Sequence, residues 1–185
     1  PLPAINAVNF QGISRDETII DAESTGGVFF VHRDENLSIQ DMTITGGFDA
    51  RGGGIYCHKC SPVFQRCDII GNTAGTYRKE GGGIYIHKAS PYINDCTISS
   101  NSADHGGGIY LYGSSSTIEN CRVDSNYALH NGGGMASEFN ADPTMTFNCM
   151  FTHNTSDHGG GGIACWSNDH DFVNCLIAGN SSRYG

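Results

Sequence analysis

Charge is scarce in this sequence, and basic charge scarcest of all. Only 16% of the 185 residues are charged, and 10 Lys+Arg stand against 19 Asp+Glu, a formal net charge of −9. A nucleic-acid partner needs clustered cations to displace its phosphate counterions, so that class is disfavoured. No apolar run approaches the ~20 residues that a membrane-spanning helix requires, and no basic-then-apolar leader opens the chain. The expectation is a soluble chain, mature or excised, that leaves room for a secretion signal already removed. A helix-period apolar stretch is missing too. In place of these features stand 26 Gly and 8 Cys, a bias that points to something periodic.

The period is written in two phased motifs. Gly52-Gly53-Gly54-Ile55-Tyr56, Gly81-Gly82-Gly83-Ile84-Tyr85, Gly106-Gly107-Gly108-Ile109-Tyr110, Gly132-Gly133-Gly134-Met135 and Gly160-Gly161-Gly162-Ile163 recur, with Gly26-Gly27-Val28 as a weaker first copy. Taking Gly27 as the first mark, the last glycines are 25 to 29 residues apart, the tolerance of a coil with elastic turns. In step with them, Cys67, Cys96, Cys121, Cys149 and Cys175 are each followed five residues later by Asn72, Asn101, Asn126, Asn154 and Asn180. Met42 and Gly47 hold these places in the first copy.

Short β-branched or alternating runs such as Ile84-Tyr85-Ile86, Pro91-Tyr92-Ile93 and Cys96-Thr97-Ile98 lie between Gly, Ser, Asn and Asp. Three such strands per unit of ~27 residues predict an all-β, parallel solenoid whose equivalent positions stack ~4.8 Å apart. Ile55, Ile84, Ile109, Met135 and Ile163 then form one inward column, and Ile69, Ile98, Val123, Phe151 and Ile177 another. The whole chain, 1–185, reads as one domain: an atypical coil over 1–26 and repeats over 27–185.

The wording Gly-Gly-Gly-Ile-Tyr, then Ser-Pro-x-Ile-x-x-Cys-x-Ile over Ser90 to Ile98, then Asn101-Ser102-Ala103, resembles the right-handed parallel β-helix repeat proteins of bacterial and archaeal surfaces. These are similar in repeat to polymorphic outer-membrane proteins and in fold to pectate lyases. The resemblance covers about residues 17–185 and implies a right-handed, single-stranded β-helix of six to seven coils, placed outside the cell or on its surface. It is specific for fold and poor for function, because this fold carries lyases, hydrolases, epimerases, adhesins and inert stalks. Family members usually set an amphipathic capping helix ahead of the first coil, where this chain has only Pro1 to Gln11.

Several columns imitate sites. The Cys column holds one thiol per coil, at a spacing outside the ~3.5–4.5 Å Cβ separation of a relaxed disulfide, and reads as buried free thiols. Cys57-His58-Lys59-Cys60 leaves three readings open: half a zinc site, a local disulfide, or unpaired thiols in a column with Phe30, Ile86, Leu111, Ser137 and Cys165. The Asn column reads as structural, since Asn tolerates a left-handed turn and its amide both donates and accepts. Among the Asn-x-Ser/Thr sequons at Asn36, Asn154 and Asn180, only Asn36 lies off that column. Gly triplets with no Gly-Lys-Ser/Thr read as bends, not phosphate loops. Asp104-His105, His130-Asn131 and Asp157-His158 precede Gly runs; Asp104 and Asp157 are weak calcium candidates, and no other cofactor is implied.

Strand alternation turns the neighbours of the Ile column outward. One outward column becomes Phe29, Tyr56, Tyr85, Tyr110, Ala136 and Ala164, and the next Val31, His58, His87, Tyr112, Glu138 and Trp166. Tyr56, His58, Tyr85, His87, Tyr110, Tyr112, Glu138 and Trp166 are therefore the candidate ligand-binding residues, suited to sugar rings. Catalysis by a polysaccharide lyase or hydrolase is the least supported reading: Glu138 has no partner carboxylate in these columns, and Lys59 and Lys88 have no acidic neighbours. Two expectations remain. The first is an extracellular structural rod that associates with itself end to end, since no cap is evident at either end; the second is a glycan-binding or adhesive module.

Overall fold

The computed structural model describes residues 8–33, 37–75, 79–139, 143–166 and 170–184. Each coil is four-sided rather than three-sided. One turn of the solenoid runs through Ile84–His87, Tyr92–Asn94, Thr97–Ser99 and Ser102–His105, then closes at the next Gly triplet. We call the four sides sheets I to IV in that order; every recorded strand pairing within them is parallel, and they hold six, seven, seven and six strands. The extra strands of sheets II and III are Val8–Gln11 and Ile19–Asp21, so the segment before residue 27 already pairs with the repeats. Periodicity does not reveal the fourth side, because strands such as Thr73–Ala74 and Thr155–Ser156 are two residues long, too short for alternation to register.

From Phe29 onwards, each described corner is bent by one left-handed residue. Between sheets I and II these are Arg33, Lys59, Lys88, Gly113 and Phe139; between II and III they are Asp41, Arg66, Asp95, Asn120, Asn148 and Asn174. Between III and IV the bend falls on Gly46, Gly71, Ser100, Ser125, His153 and Gly179, the residues before the Asn column or its Gly47 place and not the asparagines themselves. That corrects the left-handed part of the expected reason for Asn and leaves the part that rests on its amide. The first Gly of each triplet turns the last corner, as at Gly106 with φ of 60°. The third Gly is needed for space instead, since a Cβ on Gly83 would lie 2.9 Å from Asn101 Nδ2. The Gly and Asn motifs keep phase because one packs on the other.

The core is a stack of inward columns. Ile55, Ile84 and Ile109 of sheet I, Ile93 of sheet II and Ile98 of sheet III are fully buried, so truncating one to Ala costs ~2–5 kcal/mol. Cys67, Cys96, Cys121 and Cys149 are free and buried, and Cys175 is half-buried. The Asn amides interlock as a ladder. Asn101 Nδ2 donates to Ile69 O at 2.9 Å and to Asn126 Oδ1 at 3.0 Å, while Asn101 Oδ1 accepts from the backbone and side-chain nitrogens of Asn72.

Register corrects the first copy. Phe29 pairs with Ile55, Phe30 with Tyr56, Val31 with Cys57 and His32 with His58. Val28 thus stands in the place of the third Gly, and the expected columns are one residue out at this end. A one-residue slip exchanges the two faces of a strand. Phe29 and Val31 point inward, whereas Phe30 and His32 join the outward columns and Val31 replaces Phe30 in the Cys57 column. Cys57 and Cys60 are bonded to each other, which selects the local disulfide among the three readings. Asn36 lies outside the described residues.

Candidate functional site

The outer surface of sheet I carries two columns in register. Phe30, Tyr56, Tyr85, Tyr110, Ala136 and Ala164 form the first; His32, His58, His87, Tyr112 and Glu138 form the second. A third column, absent from the expected set, rises beside them from the corner with sheet IV: Arg51, Glu80, His105, Asn131 and Gly159 pair coil to coil. These residues immediately precede the Gly triplets, so their position was legible in the repeat. Their reach over the Tyr column was not.

That third column closes the middle of the face. The Arg51 guanidinium lies 5.5 Å above the Tyr85 ring and pairs with Glu80 at 3.2 Å. Tyr85 and Tyr110 stack at 5.5 Å between ring centres and are only 3% and 2% exposed. Burial, with Glu80 near Tyr85 and Glu138 near Tyr110, pushes both phenols well above the ordinary tyrosine range. Glu138 is therefore not the lone acid of the surface, since Glu80 approaches the same two rings. Tyr85 and Tyr110 form a filled seam with Ala136, and their ring faces are not open to a ligand.

The first two coils are different. Phe30 is 66% exposed, and its ring centre lies 5.0 Å from that of half-buried Tyr56. With Arg51 and Asp49, the two rings line a cavity of about 510 Å³ whose remaining wall includes Gly27 and Gly52. At the far end Trp166 is 50% exposed and lies 6.3 Å from the His105 ring, so it leans back across two coils towards the Ala positions. Tyr112 packs against Phe139 at 5.4 Å.

The histidines run in two rows. His32, His58 and His87 follow one another at ring distances of 4.9 and 4.7 Å, and His32 Nδ1 faces His58 Nδ1 at 3.2 Å. Burial, then the neighbouring positive charges, lowers the His58 pKa; the same causes bring His87 down to about 4. The second row is His105, His130 and His158, at 5.1 and 5.4 Å. Among the described residues, no three or more His, Cys, Asp or Glu side chains gather as a metal cage. Of the two calcium candidates, Asp104 pairs with Lys79 at 3.6 Å and Asp157 accepts the Tyr127 hydroxyl at 3.1 Å.

The model of the family described as "Right handed beta helix region" matches residues 5–182. The chain belongs to that family. Neither a curated protein nor a solved structure matches it. Membership in the right-handed β-helix family settles architecture and leaves function to the surface just described. No helix among the described residues is long and apolar enough to cross a membrane.

Proposed function

We propose that this β-helix is a glycan-binding scaffold, with the cavity of the first two coils as its main saccharide site. The observation that carries the reading is that exposed Phe30 and half-buried Tyr56 line one cavity of about 510 Å³ together with Arg51 and Asp49. A sugar has apolar C–H faces and a rim of hydroxyls. Rings bind the faces, and a guanidinium fork and a carboxylate supply donors and acceptors to the rim. Phe30 and Tyr56 stand on paired strands of one sheet, which sets their spacing before any ligand arrives and lowers the entropy lost on binding. A glycan array followed by calorimetry with the highest-scoring oligosaccharide tests this. Phe30→Ala and Tyr56→Ala should each weaken binding about tenfold, the scale of one lost aromatic contact. Undiminished affinity in both variants would defeat the proposal.

A further inference from the structure

The outward His column of sheet I contains a contact that the saccharide cavity does not use. His32 and His58 stand in register on the paired strands Phe29–His32 and Ile55–His58, and their side chains leave the sheet on the same side. Their Nδ1 atoms face each other at 3.2 Å. Two imidazole nitrogens at this range either share one proton or hold one ion between them, because each neutral ring has a single lone pair to offer. Among the described residues no other two histidines make such a contact. His58 and His87 are as near by ring centre, at 4.7 Å, but their planes are only 14° apart, so their in-plane lone pairs run side by side and do not converge. The planes of His32 and His58 differ by 75°.

Metal–imidazole bonds of ~2.0–2.1 Å that meet at a right or a tetrahedral angle set the two nitrogens about 2.8–3.4 Å apart. The observed separation falls inside that bite. We propose that His32 and His58 form a two-histidine site for a divalent transition metal, Cu2+ before Ni2+ or Zn2+. Imidazole suits all three ions, and their general order of affinity puts copper first. Calcium and magnesium take oxygen ligands and are not matched by this pair. Arg33 and Lys59, which follow the two histidines in the chain, also oppose any cation held by charge alone, so the ion must be one that gains from nitrogen donation. His32 is exposed and His58 half-buried; an ion therefore reaches them from solvent, and the rings can turn to bring both lone pairs onto it. The proposal asks for these two protein nitrogens and no more, with solvent in the rest of the shell.

Calorimetry of the untagged protein with Cu2+, Ni2+ and Zn2+ tests the site, together with electron paramagnetic resonance of the copper complex. Exposed Cys165 is a free thiol that takes up the same ions, so parent and variants are compared in a Cys165→Ser background. The parent should bind Cu2+ with a spectrum that shows imidazole nitrogen, and Ni2+ and Zn2+ more weakly, while excess Mg2+ should not compete. Bound copper should raise the unfolding midpoint. His32→Phe and His58→Phe keep a ring in the column and remove only the nitrogens; each should lose at least about tenfold in copper affinity, and the midpoint shift with it. His87→Phe should bind like the parent, because its lone pair does not converge on the ion. Unfolding of each variant without metal checks that its fold stands, and the copper spectrum of the parent is independent of any folding defect. Undiminished uptake in both His32→Phe and His58→Phe overturns the site, as does a loss in His87→Phe as large as theirs. A parent that takes up no copper overturns it too, and reduces the contact to a shared proton.

Discussion

Two columns of repeated side chains lie on opposite sides of this solenoid wall, and they obey opposite logic. The inner Asn column places an amide on an amide, each with a donor and an acceptor, so a copy satisfies a copy: Asn126 Nδ2 meets Asn154 Oδ1 at 3.0 Å just as Asn101 meets Asn126. The outer His column has no such self-complementarity. His32 and His58 face each other through like atoms, only one of which can carry the proton between them, and buried His87 Nδ1 has no hydrogen-bond partner among the described residues. Arg33, Lys59 and Lys88 stack beside it as like charges. A column that satisfies itself stabilises the fold. A column that repels itself costs stability and is better explained by what lies outside the protein.

The largest break in that comparison is to remove an inner amide. Asn101→Leu takes the acceptor from the buried Asn72 backbone N–H and the amide donor from Ile69 O, whereas Asn72 Nδ2 keeps Ile44 O and Asn126 Oδ1 keeps the residue 101 backbone N–H. Each buried group left unpaired costs about 1–3 kcal/mol, so the variant should lose on the order of 3 kcal/mol or more in denaturant unfolding. A midpoint unchanged from the parent would show Asn101 to be an ordinary turn residue.

Acid should break the outer column first. The pKa values of His58 and His105 are lowered, and those of His87 and His170 are brought down to about 4, all by burial first. Above pH 6.5 the imidazoles are neutral both folded and unfolded, so they contribute no pH dependence. Below it the unfolded chain takes up protons that the native one refuses, and stability falls as pH drops from 6.5 towards 4. The drop in unfolding free energy across that window should be smaller in His87→Phe, which removes one such group. Equal drops in parent and variant would detach the column from acid sensitivity.

Much of this architecture was legible in the sequence because periodic constraint is repeated five times. The Ile, Cys and Asn columns were readable since one residue type recurs at one place. The reading slipped where the repeat is degenerate: in the first copy Val28 replaces a Gly, and the neighbouring Phe29 and Phe30 are equally plausible as inward residues. The site was less legible still. Its third column changes identity at each coil, from Arg51 to Glu80 to His105, so no recurring letter marked it, and closure over Tyr85 depends on side-chain reach that spacing does not encode.

The thiol column sharpens the comparison from the core side. Hydrogen bonding to the next thiol and then burial raise Cys67 well above the usual range, and the Cys149 contact raises Cys121 to about 12, whereas the hydrogen bond from Cys121 lowers Cys149 at the end of the buried run. Native labelling at pH 8 should modify exposed Cys165, slowed by the partial burial that raises its pKa, and spare Cys67, Cys96, Cys121 and Cys149 until denaturant is added. Rapid labelling of Cys96 in the native state would contradict its inward placement.

The smallest effect is expected where the same amide stacking recurs in water. Asn148 Nδ2 donates to Asn120 Oδ1 at 3.3 Å, and Asn174 Nδ2 donates to Asn148 Oδ1 at 2.7 Å, forming a second Asn row on the exposed corner between sheets II and III. Its geometry resembles the inner ladder, but water can replace either partner when one is removed. Asn148 also sits in a left-handed conformation, with φ of 52°, which Gly adopts without strain and Ala does not. Asn148→Gly therefore isolates the loss of the stacked amides and should cost less than ~1 kcal/mol in denaturant unfolding, against the multiple losses of Asn101→Leu. Asn148→Ala adds the left-handed penalty of roughly 1–2 kcal/mol and should be the worse of the two. If Asn148→Gly destabilised as much as Asn101→Leu, stacking itself rather than burial would be what stabilises both ladders.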